Sequence, residues 1–265
     1  MTTVRVVASD LDGTLLGADH RLAERTIDVL RAVRRAGVKV VAATGRAPTS
    51  AWKLLRSHDV IDALVCSNGS IVFDIATETV AHRFPIDAAQ LQRLFSDLDR
   101  AVPGLSYCWE LDDHCGWDAE FDDIAQQHAD LHMYASGPRP EPGVTATKVM
   151  VRHPTVHRQD LADLIAPHLS DPLSIGCSGV EFAEVTGAGV DKSHALRHVL
   201  TAWGHDAAEV MAFGDNHNDI AMLRWAGTGV AVANAVDDAH DAADLSIGHH
   251  ADHSVAEHLA ATVLG

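Results

Sequence analysis

Asp10 and Asp12 stand two residues apart at the end of an apolar run, VRVVASDLDGTLL, residues 4–16. Carboxylates at that spacing share a strand face and repel, so something must compensate them. Three other polar clusters offer partners: Ala43-Thr44-Gly45-Arg46, Asp191-Lys192-Ser193, and Gly214-Asp215-Asn216-His217-Asn218-Asp219. Taken singly, each is an ordinary turn or helix cap. All four fall at or just after expected strand ends, where ligands bind in open parallel sheets.

The residue types favour phosphoryl chemistry. Asp10, Asp12 and Asp215 concentrate negative charge, which a hard divalent cation neutralises. Mg²⁺ takes a few protein oxygens and completes its shell with water and substrate phosphate. Zinc is disfavoured because no His or Cys joins the cluster. Thr44 brings a hydroxyl donor, Gly45 lets backbone N–H groups approach an anion, and Lys192 adds a positive point charge.

These residues need a scaffold. Apolar strands are expected at 4–9, 38–44 and 63–70, with helices over 22–36 and 48–58 between them. That β-α-β-α-β order predicts a parallel sheet with helices on both faces. From about 85 to 187 the pattern changes to locally paired strands with helices over 87–102 and 157–169, an inserted α+β unit. A helix from Lys192 and a strand at 209–215 then resume the first pattern. The expected fold class is α/β: a Rossmann-like core from residues 1–84 and 188–265, with a cap at 85–187. Hinges are expected near Pro85 and Gly187–Gly189.

Composition narrows the function classes. The chain has 265 residues, 47% of them hydrophobic, enough for a substantial core. A net charge of −17 disfavours nucleic acid and anionic membrane as partners. No apolar run approaches the length of a membrane span, and the N-terminus reads as a strand, so a cytoplasmic protein is expected. Cys66, Cys108, Cys115 and Cys177 lack a C-x-x-C pairing and read as reduced, buried thiols. The GHHADH segment at 248–253, with His249 and His253, reads as a solvated face.

DLDGTLL, ATGR, the DK before a helix and GDNHNDIAML together resemble the four ordered motifs of the haloacid dehalogenase superfamily of phosphatases. The Cof-like branch is the most similar, with its large cap between the second and third motifs. SNGS at 67–70 and VANA ending at 235 resemble that branch's SNGA and MGNA segments. The resemblance implies that Asp10 is the nucleophile and forms an aspartyl-phosphate. Asp12 is then the general acid and later the base. Asp10, the Asp12 carbonyl and Asp215 would bind Mg²⁺. The Leu11 N–H, Thr44, Gly45 and Lys192 would hold phosphoryl oxygens, and Asn218 would orient substrate. Asp219 would support the metal shell or Lys192, Gly13 and Thr14 would shape the turn, and Arg46 would serve as structural support or phosphate contact. The departures are His217 at a variable position, and Ala233 and Ser254 where glycine is usual.

The cap is expected to set specificity, with Trp109, Asp113, His114 and Trp117 as candidates to face the site. A Cys108–Cys115–His114 metal site is rejected for want of a fourth ligand. The resulting expectation is a Mg²⁺-dependent phosphomonoesterase acting on a small metabolite. Sugar phosphates come first, and nucleotide-like or cofactor phosphates such as pyridoxal phosphate second. A phosphomutase, a phospho-aspartate receiver and a binding protein without turnover are the alternatives. The sequence leaves the oligomeric state, monomer or dimer, open.

Overall fold

The computed structural model describes residues 4–111, 114–121, 135–177 and 181–265. Strand β1 spans Val6–Ser9 with all four side chains buried, as a strand covered on both faces requires. Helix α1, Glu24–Arg35, buries Ile27, Leu30 and Val33 on one stripe, the three- and four-residue spacing of a core-facing helix. Strand β2, Lys39–Ala43, leads to helix α2, Pro48–Leu55, which opens on a proline. Proline fits a first helical turn, where its missing N–H has no intrahelical partner to lose. Strands β3 (Ala63–Cys66), β4 (Ile71–Asp74) and β5 (Thr79–Arg83) follow.

The chain then enters the inserted unit. Helix α3, Ala88–Ala101, starts with a capping box: the Asp87 carboxylate accepts the Ala89 N–H, and Gln90 returns a bond to Asp87. Its strands are β6 (Ser106–Leu111), β7 (His114–Trp117), β8 (Ala135–Ser136), β9 (Lys148–Arg152), β10 (Ser174–Gly176) and β11 (Ala183–Thr186). Helix α4, Arg158–Ile165, lies between β9 and β10. They form a six-stranded sheet in the order β10-β11-β9-β6-β7-β8, antiparallel apart from β7 with β8. No strand is expected at His114–Trp117, because Gly116 and the polar flanks hide its alternation, yet it pairs with β6.

Helix α5, Lys192–Trp203, returns the chain to the first unit. Asp191 caps it, and Gly204 ends it in the left-handed conformation. The remaining elements are β12 (Val210–Gly214), α6 (Ile220–Trp225), β13 (Thr228–Ala231), α7 (Asp237–Ala242), β14 (Leu245–Ser246) and α8 (Ser254–Thr262). The first sheet therefore has eight strands in the order β14-β13-β12-β1-β2-β3-β4-β5. Its strands are parallel from β14 through β3, and the β3-β4-β5 edge is antiparallel. This is the expected α/β architecture with an α+β insertion. β1 sits between β2 and β12, so the N-terminal strand end and the end of β12 lie side by side. All four cysteines are free and buried. Among the described residues no helix is long and apolar enough to cross a membrane.

Candidate active site

β1 stops at Ser9, and Asp10 follows in extended backbone. The chain then turns through Leu11–Leu15, closed by the Leu16 N–H on the Leu11 carbonyl at 2.9 Å. Gly13 makes the turn with φ of +77°, and a Cβ there would lie 2.5 Å from Asp215 Oδ2. Only glycine meets both demands at low cost. The turn corrects the expectation that Asp10 and Asp12 share a strand face. Asp10 points to Lys192, and Asp12 to Arg46.

Lys192 is the centre of the buried charge. Its ammonium donates to Asp10 Oδ1 at 2.5 Å and to Asp219 Oδ1 at 2.6 Å, and the side chain is fully enclosed. Burial works against a charged lysine, but the two aspartates hold its pKa above the ordinary value. Asp219 Oδ2 accepts the backbone N–H groups of Asp215 and Asn216, each at 3.0 Å. Both Asp219 oxygens are thus engaged, and the residue clamps Lys192 to the loop after β12. Asp215 Oδ1 accepts the Thr14 hydroxyl at 2.6 Å.

Three acids against one ammonium leave an excess of buried negative charge. Burial pushes Asp10 well above the ordinary carboxylate range, and Lys192 offsets that only in part. Burial, with Asp219 alongside, pushes Asp215 up to about 6. Oxygens of Asp10, Asp215 and Asp219 approach within 4.8 Å of one another. Such a set of hard oxygen donors with surplus charge suits a divalent cation, and these acids could hold one.

The second layer comes from the β2 and β3 ends. Thr44 is buried, and its hydroxyl accepts the Arg46 N–H at 3.1 Å. Arg46 grips both oxygens of Asp12 and reaches Ser50. His20 lies 3.5 Å from Asp12. The Gly45 carbonyl accepts a bond from Lys148 of the inserted unit at 2.8 Å. Asn218 donates to Asn68 Oδ1 at 2.9 Å. Ser67, Asn68 and Gly69 all take positive φ, a tight turn that delivers Asn68 to the site. Asn234 donates to the Gly13 carbonyl and accepts the His250 N–H, so part of the 248–253 histidine segment braces the turn after Asp10.

The cap candidates fare differently. Trp109 is buried against Phe95, in the cluster between the six-stranded sheet and its helices. Strand alternation therefore turns it away from the site. Trp117 is buried beside Cys108 and Phe121, His114 is exposed, and Asp113 lies outside the described residues. The inserted unit instead presents Glu110, Lys148 and Glu184 toward the core, residues the sequence reading passes over. Their signal is an isolated charge on a largely apolar strand: Glu110 in SYCWEL, Lys148 at the head of KVMVR and Glu184 in AEVT.

The sequence matches the haloacid dehalogenase-like hydrolase family over residues 7–259. The chain belongs to that family. It is 29% identical to the pyridoxal phosphate phosphatase YbhA of Escherichia coli, over 97% of this chain and 98% of that one. It is 26% identical to the 5-amino-6-(5-phospho-D-ribitylamino)uracil phosphatase YcsE of Bacillus subtilis, over 98% and 96%. Its fold matches that of the sugar phosphatase BT4131, of HAD subclass IIB, with a TM-score of 0.85 at 22% identity, covering 99% of this chain and all of the other. Both relatives and this structural neighbour carry names that record phosphatase activity.

Proposed function

We propose that this hydrolase is a Mg²⁺-dependent phosphomonoesterase acting on small phosphorylated metabolites, sugar phosphates first and pyridoxal phosphate second. The observation that carries the reading is the enclosed Lys192, hydrogen-bonded at once to Asp10 and Asp219. It fixes one Asp10 oxygen and brings positive charge to where a phosphoryl group would meet that carboxylate.

Asp10 attacks phosphorus, the bond to the ester oxygen breaks, and an aspartyl-phosphate forms. Asp12 gives its proton to the departing oxygen, then takes one from the water that hydrolyses the intermediate. Proton and phosphoryl group are balanced over the cycle, which returns both aspartates to their starting forms. Asp10, the Asp12 carbonyl and Asp215 would hold Mg²⁺, which would neutralise charge on the acids and on the phosphoryl oxygens. Lys192, the Thr44 hydroxyl and the N–H groups of Leu11 and Gly45 hold the transferring group. Asn218, fixed by Asn68, orients substrate. The inserted unit at 85–187 acts as a cap over this site. The four reduced thiols fit a cytoplasmic enzyme.

The test is phosphate release from p-nitrophenyl phosphate and from a metabolite panel, with Mg²⁺ and with chelator. Release that needs the metal and is lost at least about a thousandfold in Asp10→Asn supports the reading. No release from any ester defeats it. An isomerised sugar phosphate without free phosphate would identify a mutase instead.

A further inference from the structure

Strands β6, β9 and β11 place Glu110, Lys148 and Glu184 side by side on the same face of the six-stranded sheet, with Arg152 farther along β9. Glu110 pairs in register with Lys148, and Glu184 lies opposite Met150, two residues on from Lys148. The other face carries Trp109, Val149, Val151, Ala183 and Val185 against the helices. The charged face therefore meets the eight-stranded unit. Lys148 donates to the Gly45 carbonyl, beside Thr44, and Glu110 accepts the Ser67 hydroxyl in the turn that carries Asn68. A phosphate held by Lys192 and Thr44 would have its organic half bounded by this face.

Within the trio the cation is fully engaged and one acceptor is not. The Lys148 ammonium is already occupied by Gly45, by Glu184 Oε1 at 2.8 Å and by Glu110 at 3.8 Å. Two carboxylates outnumber it. Glu110 Oε1 takes bonds from Ser67 and Thr147, whereas Glu184 Oε2 is buried without a hydrogen-bond partner. A buried carboxylate oxygen left unsatisfied is costly, and a ligand hydroxyl would satisfy it. A second phosphate or a carboxylate would meet two acids with no spare cation.

We propose that Glu110, Lys148 and Glu184 form the leaving-group subsite, and that they select phosphomonoesters whose organic half is uncharged and hydroxyl-bearing over those with a second anionic group. This rests on the phosphatase reading above. Glu184 is the acceptor for a substrate hydroxyl, and Lys148 holds it in place against the phosphoryl-binding loop.

The experiment compares the full-length protein with Glu184→Gln on p-nitrophenyl phosphate and on pairs of sugar phosphates. Each pair sets a neutral monophosphate against its counterpart with a carboxylate or second phosphate, such as glucose 6-phosphate against 6-phosphogluconate. The wild type should favour the neutral member by about tenfold or more in kcat/KM. Glu184→Gln should lose about tenfold on the neutral sugars, mainly through KM, and less on p-nitrophenyl phosphate, which has no hydroxyl. Equal preference within every pair overturns the proposal, as does an equal loss on sugar and nitrophenyl esters. Should Glu184→Gln fail to fold, the wild-type pair preference decides alone. Turnover of p-nitrophenyl phosphate keeps the phosphatase reading standing whatever the pairs give. If no ester turns over, calorimetric titration of Asp10→Asn with the same pairs decides: tighter binding of the neutral member supports the subsite, and equal or weaker binding overturns it.

Discussion

Arg46 grips Asp12 by two parallel bonds, Nε to Oδ2 and Nη2 to Oδ1, each 2.6 Å long. Burial opposes the charge on Asp12, yet these bonds hold its pKa below the ordinary carboxylate range. At neutral pH Asp12 is thus a carboxylate, aimed by Arg46 and kept off the cluster around Lys192, and it must take up a proton before it acts as the proposed acid. Arg46→Met should leave Asp12 unaimed. Sugar phosphates, whose alkoxide must be protonated to leave, should lose about tenfold or more in kcat. p-Nitrophenyl phosphate, with its stable phenolate, should lose less. Steady-state rates on the two esters measure the difference, and equal losses would remove Arg46 from the proton-transfer step.

Asp10 is a poor residue for stability in the metal-free protein. Its pKa is raised by burial, and by Asp219, Asp215 and Asp12 nearby. A neutral side chain of the same shape relieves that repulsion while leaving Lys192 paired with Asp219. Asp10→Asn should raise Tm in chelator by about 2–4 °C, the shift for each kcal/mol in a chain of this size. Mg²⁺ should then stabilise the wild type more than the variant. Differential scanning calorimetry with and without metal reads both effects, and a lower Tm for Asp10→Asn in chelator would refute the account.

Gly13→Ala tests the turn itself. The new Cβ would sit 2.5 Å from Asp215 Oδ2, on a residue with φ of +77°. Backbone strain of about 1–3 kcal/mol is expected from the conformation alone. The clash falls on a proposed metal ligand, so the apparent Mg²⁺ affinity should fall with the stability. Urea denaturation and a Mg²⁺ titration of activity check the two effects separately.

These cases mark what the sequence makes legible. Asp10, Thr44, Lys192 and Asp215 can be read at strand or helix ends because a parallel sheet gathers such ends on one side. Where a side chain points is another matter. The turn at Gly13 separates Asp12 from Asp10, and no spacing rule for strands contains that turn. Trp109 and Glu110 are neighbours on β6, so a decision about one face decides both; the aromatic drew the expectation and the acid reaches the core. Lys148 and Glu184 join Glu110 only through the register of β6, β9 and β11, which local sequence leaves open.

Asp62 supplies a pH prediction away from the site. Its carboxylate accepts the Val40 N–H at 2.9 Å and pairs with Arg34 and Lys39, each at 3.2 Å. Burial works against its charge, but these bonds bring its pKa below the ordinary value. A depressed folded pKa contributes stability that is present above the unfolded carboxylate range and lost as pH falls through the folded value. Asp62→Asn should cost about 1–3 kcal/mol at neutral pH, as for a hydrogen bond to a charged group. The gap to wild type should close as pH falls below the ordinary aspartate range and through the lower folded value. Urea midpoints across that range follow it; a gap independent of pH would rule the linkage out.

Asp10 and Lys192 are 182 residues apart in the chain, and the whole insertion is threaded between them. β1 lies in mid-sheet, with β12 as one of its two neighbours. A ribosome that has delivered everything up to β11 has therefore made the proposed nucleophile with no counter-ion and a central strand with one flank bare. Competence arrives only with the last third of the polypeptide. A chain that stops before α5 lacks Lys192, Asp215 and the second flank of its central strand.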